Sequence, residues 1–143
     1  MLHIGPVTDD IAQLSFDLGR CLRQKMLQCS DSGMHIPQMH ALLFIQSKPG
    51  ITMKELAGLL RVTSPSTTSF VDRLVKLGHV RRARDVTNRK LVRLYLTDEG
   101  ETSLKVTMEK RRDMLLDILS VLSPSEQESL RTVMQKLIAN CSL

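Results

Sequence analysis

Between residues 51 and 97 the chain carries two short helix signals joined by a tight turn, then a polar, basic hairpin, and few folds accommodate that succession. Thr52 stands three residues before Glu55, the spacing of a reciprocal capping box, with Ile51 and Leu56 set as a hydrophobic staple. Leu56, Ala57, Leu59 and Leu60 continue a first short helix, in which Ala57 and Gly58 are small enough for another helix to approach. A turn at Arg61, Val62 and Thr63 leads to a second helix, expected over 64–77, with Thr63 as N-cap, Pro65 in the first turn and Gly78 at the C′ position. Residues 79–83 and 91–96 then read as two strands of a hairpin whose connection, 84–90, is polar and turn-prone. The pattern is a helix-turn-helix with a β wing.

The second helix divides by face. Val71, Leu74 and Val75 supply apolar anchors, with Phe70 at the edge, while Ser64, Ser66, Thr67, Ser69, Arg73 and Lys76 form its polar side. One hydroxyl suffices for a cap, and six hydroxyl residues between 63 and 69 exceed that need. Short hydroxyl side chains donate to phosphates and to several base edges, so they position a protein on DNA more than they specify a sequence. In the wing, Arg84, Asn88, Arg89 and Lys90 are candidate DNA contacts, since an arginine at a hairpin tip suits a narrow minor groove. Asp85 is the candidate wing support, expected to pair with Arg89 or Arg84.

Helices are expected on both sides of this segment. Ile11, Leu14, Leu18, Leu22 and Met26 give one apolar stripe over 8–29, closed by Ser30, Asp31, Ser32 and Gly33. A second helix starts near Pro37 and runs to Lys48, where Pro49 and Gly50 break the chain. Thr97, followed by Asp98 and Glu99, caps a helix whose stripe is Leu104, Met108, Leu115, Leu119 and Leu122. Ser123, Pro124 and Glu126 cap a last helix carrying Leu130, Val133, Met134, Leu137, Ile138 and Cys141. The first and the last two helices, about 8–29 and 98–141, carry more stripe than the winged-helix segment can bury. A homodimer is therefore expected over an intramolecular bundle.

At 143 residues the length suits one domain. The balance of 20 Lys and Arg against 15 Asp and Glu, a net charge of +5, favours a polyanionic partner, and the basic residues gather between 73 and 93. No apolar run approaches the roughly 18 residues that span a bilayer, and no signal-peptide pattern opens the chain, so no membrane association and a cytoplasmic location are expected. Three cysteines are too few and scattered for a disulfide-stapled secreted fold.

Leu56 and Ala57 through Val62, then Val71, Asp72, Arg73, Leu74 and Gly78, then Arg82, Arg84, Asp85, Asn88 and Arg89, and finally Leu94, Leu96, Thr97, Asp98, Glu99 and Gly100 resemble the MarR family of bacterial regulators. The motifs cover about 37–100, and the helical order covers the chain as a single MarR-like domain of 1–143, mainly α with a small β wing. The resemblance implies a homodimer with interlocked terminal helices that binds double-stranded DNA at pseudo-palindromic operators. It implies that the protein represses and is released when a small-molecule effector or an oxidant acts on the dimer. By position it puts Ser66, Thr67, Thr68 and Ser69 in the major groove, Arg73 near the backbone and Arg89 in the minor groove. Two residues depart from the family pattern. Ser69 stands where many relatives have an arginine, which removes a bidentate guanine contact, and Asn88 stands where many have an aspartate.

Other chemistries find little footing. His3, His35, His40 and His79 show no metal-ligand spacing, and His40 is expected to be interfacial or partly buried. Cys21 and Cys29, on one helix, stand about 12 Å apart at 1.5 Å per residue, beyond disulfide reach. Redox sensing through either thiol stays open as an alternative, as does a winged-helix protein-interaction module without operator specificity. No phosphate loop, acid/base pair or nucleophile set suggests an enzyme, and no cofactor is expected.

Overall fold

The computed structural model describes residues 5–28 and 34–141. Six helices and three strands follow in the order α1 (Pro6–Gln28), α2 (Ile36–Ser47), β1 (Ile51–Thr52), α3 (Met53–Leu60), α4 (Ser64–Lys76), β2 (Val80–Arg84), β3 (Val92–Leu96), α5 (Asp98–Leu119) and α6 (Pro124–Cys141). The helical and hairpin expectations all find their elements, with ends displaced by a few residues. None of the described helices is long and apolar enough to cross a membrane.

The core forms around α2, whose Gln38, Met39, Ala41, Leu42 and Ile45 are buried. A helix apolar on nearly every side has to be enclosed by others. Here Leu56 of α3, Val71 and Leu74 of α4, Ile51, Val80 and Leu94 of the sheet, and Leu104 of α5 enclose it. Each such side chain, taken fully out of water, contributes about 1.5–3 kcal/mol of transfer free energy. Gln38 is tolerated inside because its Oε1 accepts from the His35 amide at 3.1 Å, closing the first turn of α2.

The sheet holds one strand more than the sequence suggested. Its order is β1-β3-β2, all antiparallel. Ile51, expected as a staple residue, instead pairs with Leu94 and is wholly buried. Gly50, at φ +82°, turns the chain into this strand and donates to the Leu94 carbonyl at 2.9 Å. The capping box of α3 is present: Thr52 Oγ1 accepts from the Glu55 amide at 3.3 Å, and Glu55 Oε2 accepts from the Thr52 amide at 2.8 Å. Lys48 donates to Glu55 at 2.6 Å, and this bond, with those from Thr52, holds the Glu55 carboxyl down at about 2. The close approach expected at Gly58 does not occur, since a Cβ built there meets nothing within 4 Å.

The C-terminus of α4, the start of β2, the end of β3 and the start of α5 meet in one joint. Gly78, at φ +76°, and His79 close α4 by donating to the Val75 and Leu74 carbonyls at 2.9 and 3.0 Å. Thr97 returns across the joint: its amide donates to the His79 carbonyl at 3.1 Å, and its hydroxyl donates to the Gly78 carbonyl. The same Thr97 oxygen accepts from the Gly100 amide at 3.0 Å and so caps α5. Gly100 is required by space, because a Cβ there would lie 2.0 Å from the His79 carbonyl oxygen.

The end helices contrast with this. Neither α1 nor α6 contains a buried residue. Phe16 of α1 is 71% exposed and Ile138 of α6 is 66% exposed. The expected box at the start of α6 is there, with the Ser123 amide donating to Glu126 Oε2 at 2.8 Å. Local geometry makes α1 and α6 helices, while the described residues leave much of their apolar faces exposed.

Candidate nucleic-acid interface

Helix α4 presents two opposed stripes. Thr67, Val71 and Leu74, spaced four and three, are buried against the core. Ser66, Ser69, Arg73 and Lys76, spaced three, four and three, run along the opposite side and are exposed. Thr67 therefore departs from the expectation that it faces DNA. It is 1% exposed, and its hydroxyl donates to the Thr63 carbonyl at 3.0 Å. Ser64 and Thr68 flank the exposed stripe, and the Thr68 hydroxyl donates to the Ser64 carbonyl at 3.1 Å. Thr63 occupies the N-cap without a side-chain bond to the helix backbone, its hydroxyl instead donating to Ser66 Oγ at 2.9 Å.

The two helix starts on either side of the wing differ in charge. α5 carries Asp98, Glu99 and Glu101 in its first turn, whereas α4 carries no acid there. The partial positive charge at the start of α4 thus stays uncompensated by the protein, a situation that favours an approaching phosphate. Among the described residues, Arg73 and Lys76 enter no ion pair, and neither do Arg84, Arg89 and Lys90 of the wing. All five are exposed.

The wing is shaped by Asp85, though through other partners than expected. Asp85 Oδ1 accepts from the Thr87 and Asn88 amides, each at 2.8 Å, and from the Thr87 hydroxyl at 2.6 Å. Its Oδ2 is paired with Arg93, not with Arg84 or Arg89. The Thr87 hydroxyl foremost, then the Asn88 amide and Arg93, hold the Asp85 carboxyl far below the usual carboxylate range. Arg93 is raised in turn by Asp85. Arg93 also donates to the Gly50 carbonyl at 2.9 Å, so one arginine fastens the wing turn to the start of β1. With Arg93 serving Asp85, Arg84 and Arg89 keep their charge for a partner. Asn88 adds a smaller brace, its Oδ1 accepting from the Lys90 amide at 3.1 Å.

Two contacts that sequence reasoning missed tie the wing to its surroundings. Arg82 of β2 pairs with Asp72 of α4 at 2.6 Å, and Arg81 lies 4.4 Å from the centre of the Tyr95 ring. The first joins the hairpin directly to the helix bearing the hydroxyl stripe.

Elsewhere, His40 is exposed within the protomer, which removes the partly buried setting and leaves the interfacial one untouched. Cys21 is exposed on α1, whereas Cys29 lies outside the described residues. Among the described residues, no three His, Cys, Asp or Glu side chains gather where they could hold a metal ion.

Comparison with known proteins gives a concordant picture. Residues 34–92 match the model of the MarR family. The chain is 30% identical over 90 residues to the uncharacterised HTH-type transcriptional regulator YsmB of Bacillus subtilis, covering 63% of this chain and 62% of that one. It is 27% identical over 119 residues to the transcriptional repressor MprA of Escherichia coli, covering 82% and 66%. The chain thus spans less than two-thirds of either relative's length. Among solved structures, a MarR family protein from Bacillus stearothermophilus superposes with a TM-score of 0.83 at 25% identity, covering 96% of both chains. The relatives are transcription regulators and not enzymes.

Proposed function

We propose that the chain, which matches the MarR family model over residues 34–92 and shares the winged-helix fold of its members, is a transcriptional repressor that binds a pseudo-palindromic operator as a homodimer. The carrying observation is the exposed Ser66, Ser69, Arg73 and Lys76 stripe, opposite the buried stripe of α4 and joined to the wing by the Arg82–Asp72 pair. Each protomer lays α4 in a major groove, with Ser64, Ser66, Thr68 and Ser69 near base edges or phosphates and Arg73 and Lys76 on the backbone. The wing, with Arg84, Asn88, Arg89 and Lys90, follows the strand so that Arg89 enters the flanking minor groove. The bare apolar faces of α1 and α6 support the dimer, and two-fold symmetry then sets half-sites about one helical turn apart. MprA's description as a repressor supports the direction of regulation. Release follows when a small molecule or oxidant favours a spacing of the two α4 helices that no longer fits the operator.

Selecting bound duplexes from a random pool at near-physiological salt tests this. An enriched two-fold motif is expected, with affinity falling steeply as salt rises because phosphate contacts release counterions. Recovery of no motif, with salt-insensitive association, would leave a protein-interaction module as the better reading. Ser69, at a position where the family resemblance implies an arginine in many relatives, is the residue that favours that second reading.

A further inference from the structure

Four of the chain's eight methionines line one cavity, and they come from four separate segments. Met26 ends α1, Met34 precedes α2, Met39 lies within α2, and Met114 belongs to α5. Thr107, Lys110 and Arg111 of α5, with Leu27, His35 and Ile36, line the rest. Arg111 Nη1 donates directly to Met39 Sδ at 2.9 Å. The cavity measures about 40 Å³. A drug-sized ligand needs roughly 300–1,000 Å³, so this space is far too small for one and suits a small molecule.

From these observations we propose that the cavity is a methionine oxidation site, where a small two-electron oxidant, hydrogen peroxide or hypochlorous acid, converts the Met39 thioether to a sulfoxide that Arg111 holds. The regulatory consequence rests on the DNA-binding reading above; the modification itself does not. With peroxide, a sulfur lone pair attacks one oxygen, the O–O bond breaks, and the proton on the attacked oxygen passes to the departing hydroxide as water. Sulfur loses two electrons and the peroxide gains them. With hypochlorous acid the by-products are chloride and a proton. Thioethers are the side chains most open to this reversible step besides cysteine.

What distinguishes Met39 from an ordinary core methionine is the fate of its product. A sulfoxide made in an apolar core leaves a strong acceptor without a donor, which is costly. Here the donor is already in contact with the sulfur. The added oxygen lengthens the span between Met39 on α2, at the centre of the winged-helix core, and Arg111 on α5, which runs from that core to the last helix. Oxidation thus presses apart the two bodies whose relative position sets the spacing of the α4 pair.

Exposure makes the test sharp. Met39 is 2% exposed, whereas Met108 and Met134 are 41% and 52% exposed, so simple accessibility orders them the other way. The full chain, with Cys21, Cys29 and Cys141 changed to Ser, is treated with sub-stoichiometric hypochlorous acid and, separately, hydrogen peroxide. Peptide mass mapping and binding to a selected duplex follow. Sulfoxide is expected at Met39 before Met108 and Met134. Duplex affinity then falls by roughly 5–150-fold, the span of typical allosteric coupling, and methionine sulfoxide reductase restores it. Met39→Leu keeps duplex binding and loses the oxidant response. Oxidation of Met108 and Met134 first overturns the site, and Met39 oxidation with unchanged duplex affinity overturns the switch. Should the reduced protein fail to bind duplex, the operator reading falls, while the mass map still decides the modification.

Discussion

The winged helix and the terminal helices are built to different standards of completeness. Around α2 every apolar stripe meets another, and Leu42, Ile45, Leu56, Val71, Leu74 and Leu94 are all at or near zero exposure. Along α1 and α6 the periodicity is as regular, yet no residue is buried. Amphipathic pattern states only that a face must be covered, not what covers it. The winged helix closes its core within one chain, whereas the end helices keep exposed apolar faces that the proposed dimer would cover.

The sharpest way to break that contrast is to change each region separately. Leu137→Asp with Ile138→Asp should leave the protomer folded and remove the dimer, read by sedimentation. Duplex affinity should fall by roughly 10²–10⁴-fold, the gain that linking two binding modules supplies. A stable dimer after this change would mean that α6 serves the protomer alone. The counterpart is Leu42→Ala, which should cost about 2–5 kcal/mol by chemical denaturation whatever the association state. Gly100→Ala tests the joint between the regions and should cost about 1–3 kcal/mol or more, as its Cβ has no room beside the His79 carbonyl.

Arg89→Ala sits lower on the scale. It should leave stability and association untouched, weaken every duplex and lower the salt slope by about 1, measured by titration at several ionic strengths. The smallest effect concerns Asp85. Its folded-state pKa is depressed, so its contribution is fully present above the unfolded value of about 3.9 and is lost as pH falls through the depressed one. The difference in melting temperature between the native chain and Asp85→Asn should therefore be full at pH 6 and shrink below about pH 4. Hydrogen exchange at the Thr87 and Asn88 amides should report the same loosening locally.

Legibility in the sequence followed the range of the interaction. Capping boxes at Thr52 and Ser123 and the glycine closing α4 were readable because they involve neighbours a few residues apart. β1 was not, since two residues carry no alternation and its partner β3 lies some forty residues on. Asp85 was read as pairing with Arg84 or Arg89, but its partner is Arg93. Arg84 and Arg89 are near it in sequence, whereas Arg93 reaches it across the ladder, where Ala83 opposes Arg93. Thr67 could have been placed from spacing alone, being four residues before Val71 and seven before Leu74, but its hydroxyl was read with its neighbours.

The joint at Gly78, His79, Thr97 and Gly100 sets the gearing of the molecule. Thr97 bonds the end of α4 and the start of α5 at once, so these two helices are coupled at a single point. α5 has 22 residues, a rod of roughly 33 Å, so a tilt of about 5° at this pivot becomes a displacement of roughly 3 Å at its far end. Run in reverse, a modest shove among the terminal helices arrives at α4 as a rotation and not as a slide. Such a rotation would turn the exposed Ser66 to Lys76 stripe, which the proposed function lays in a groove, while the fold stays whole.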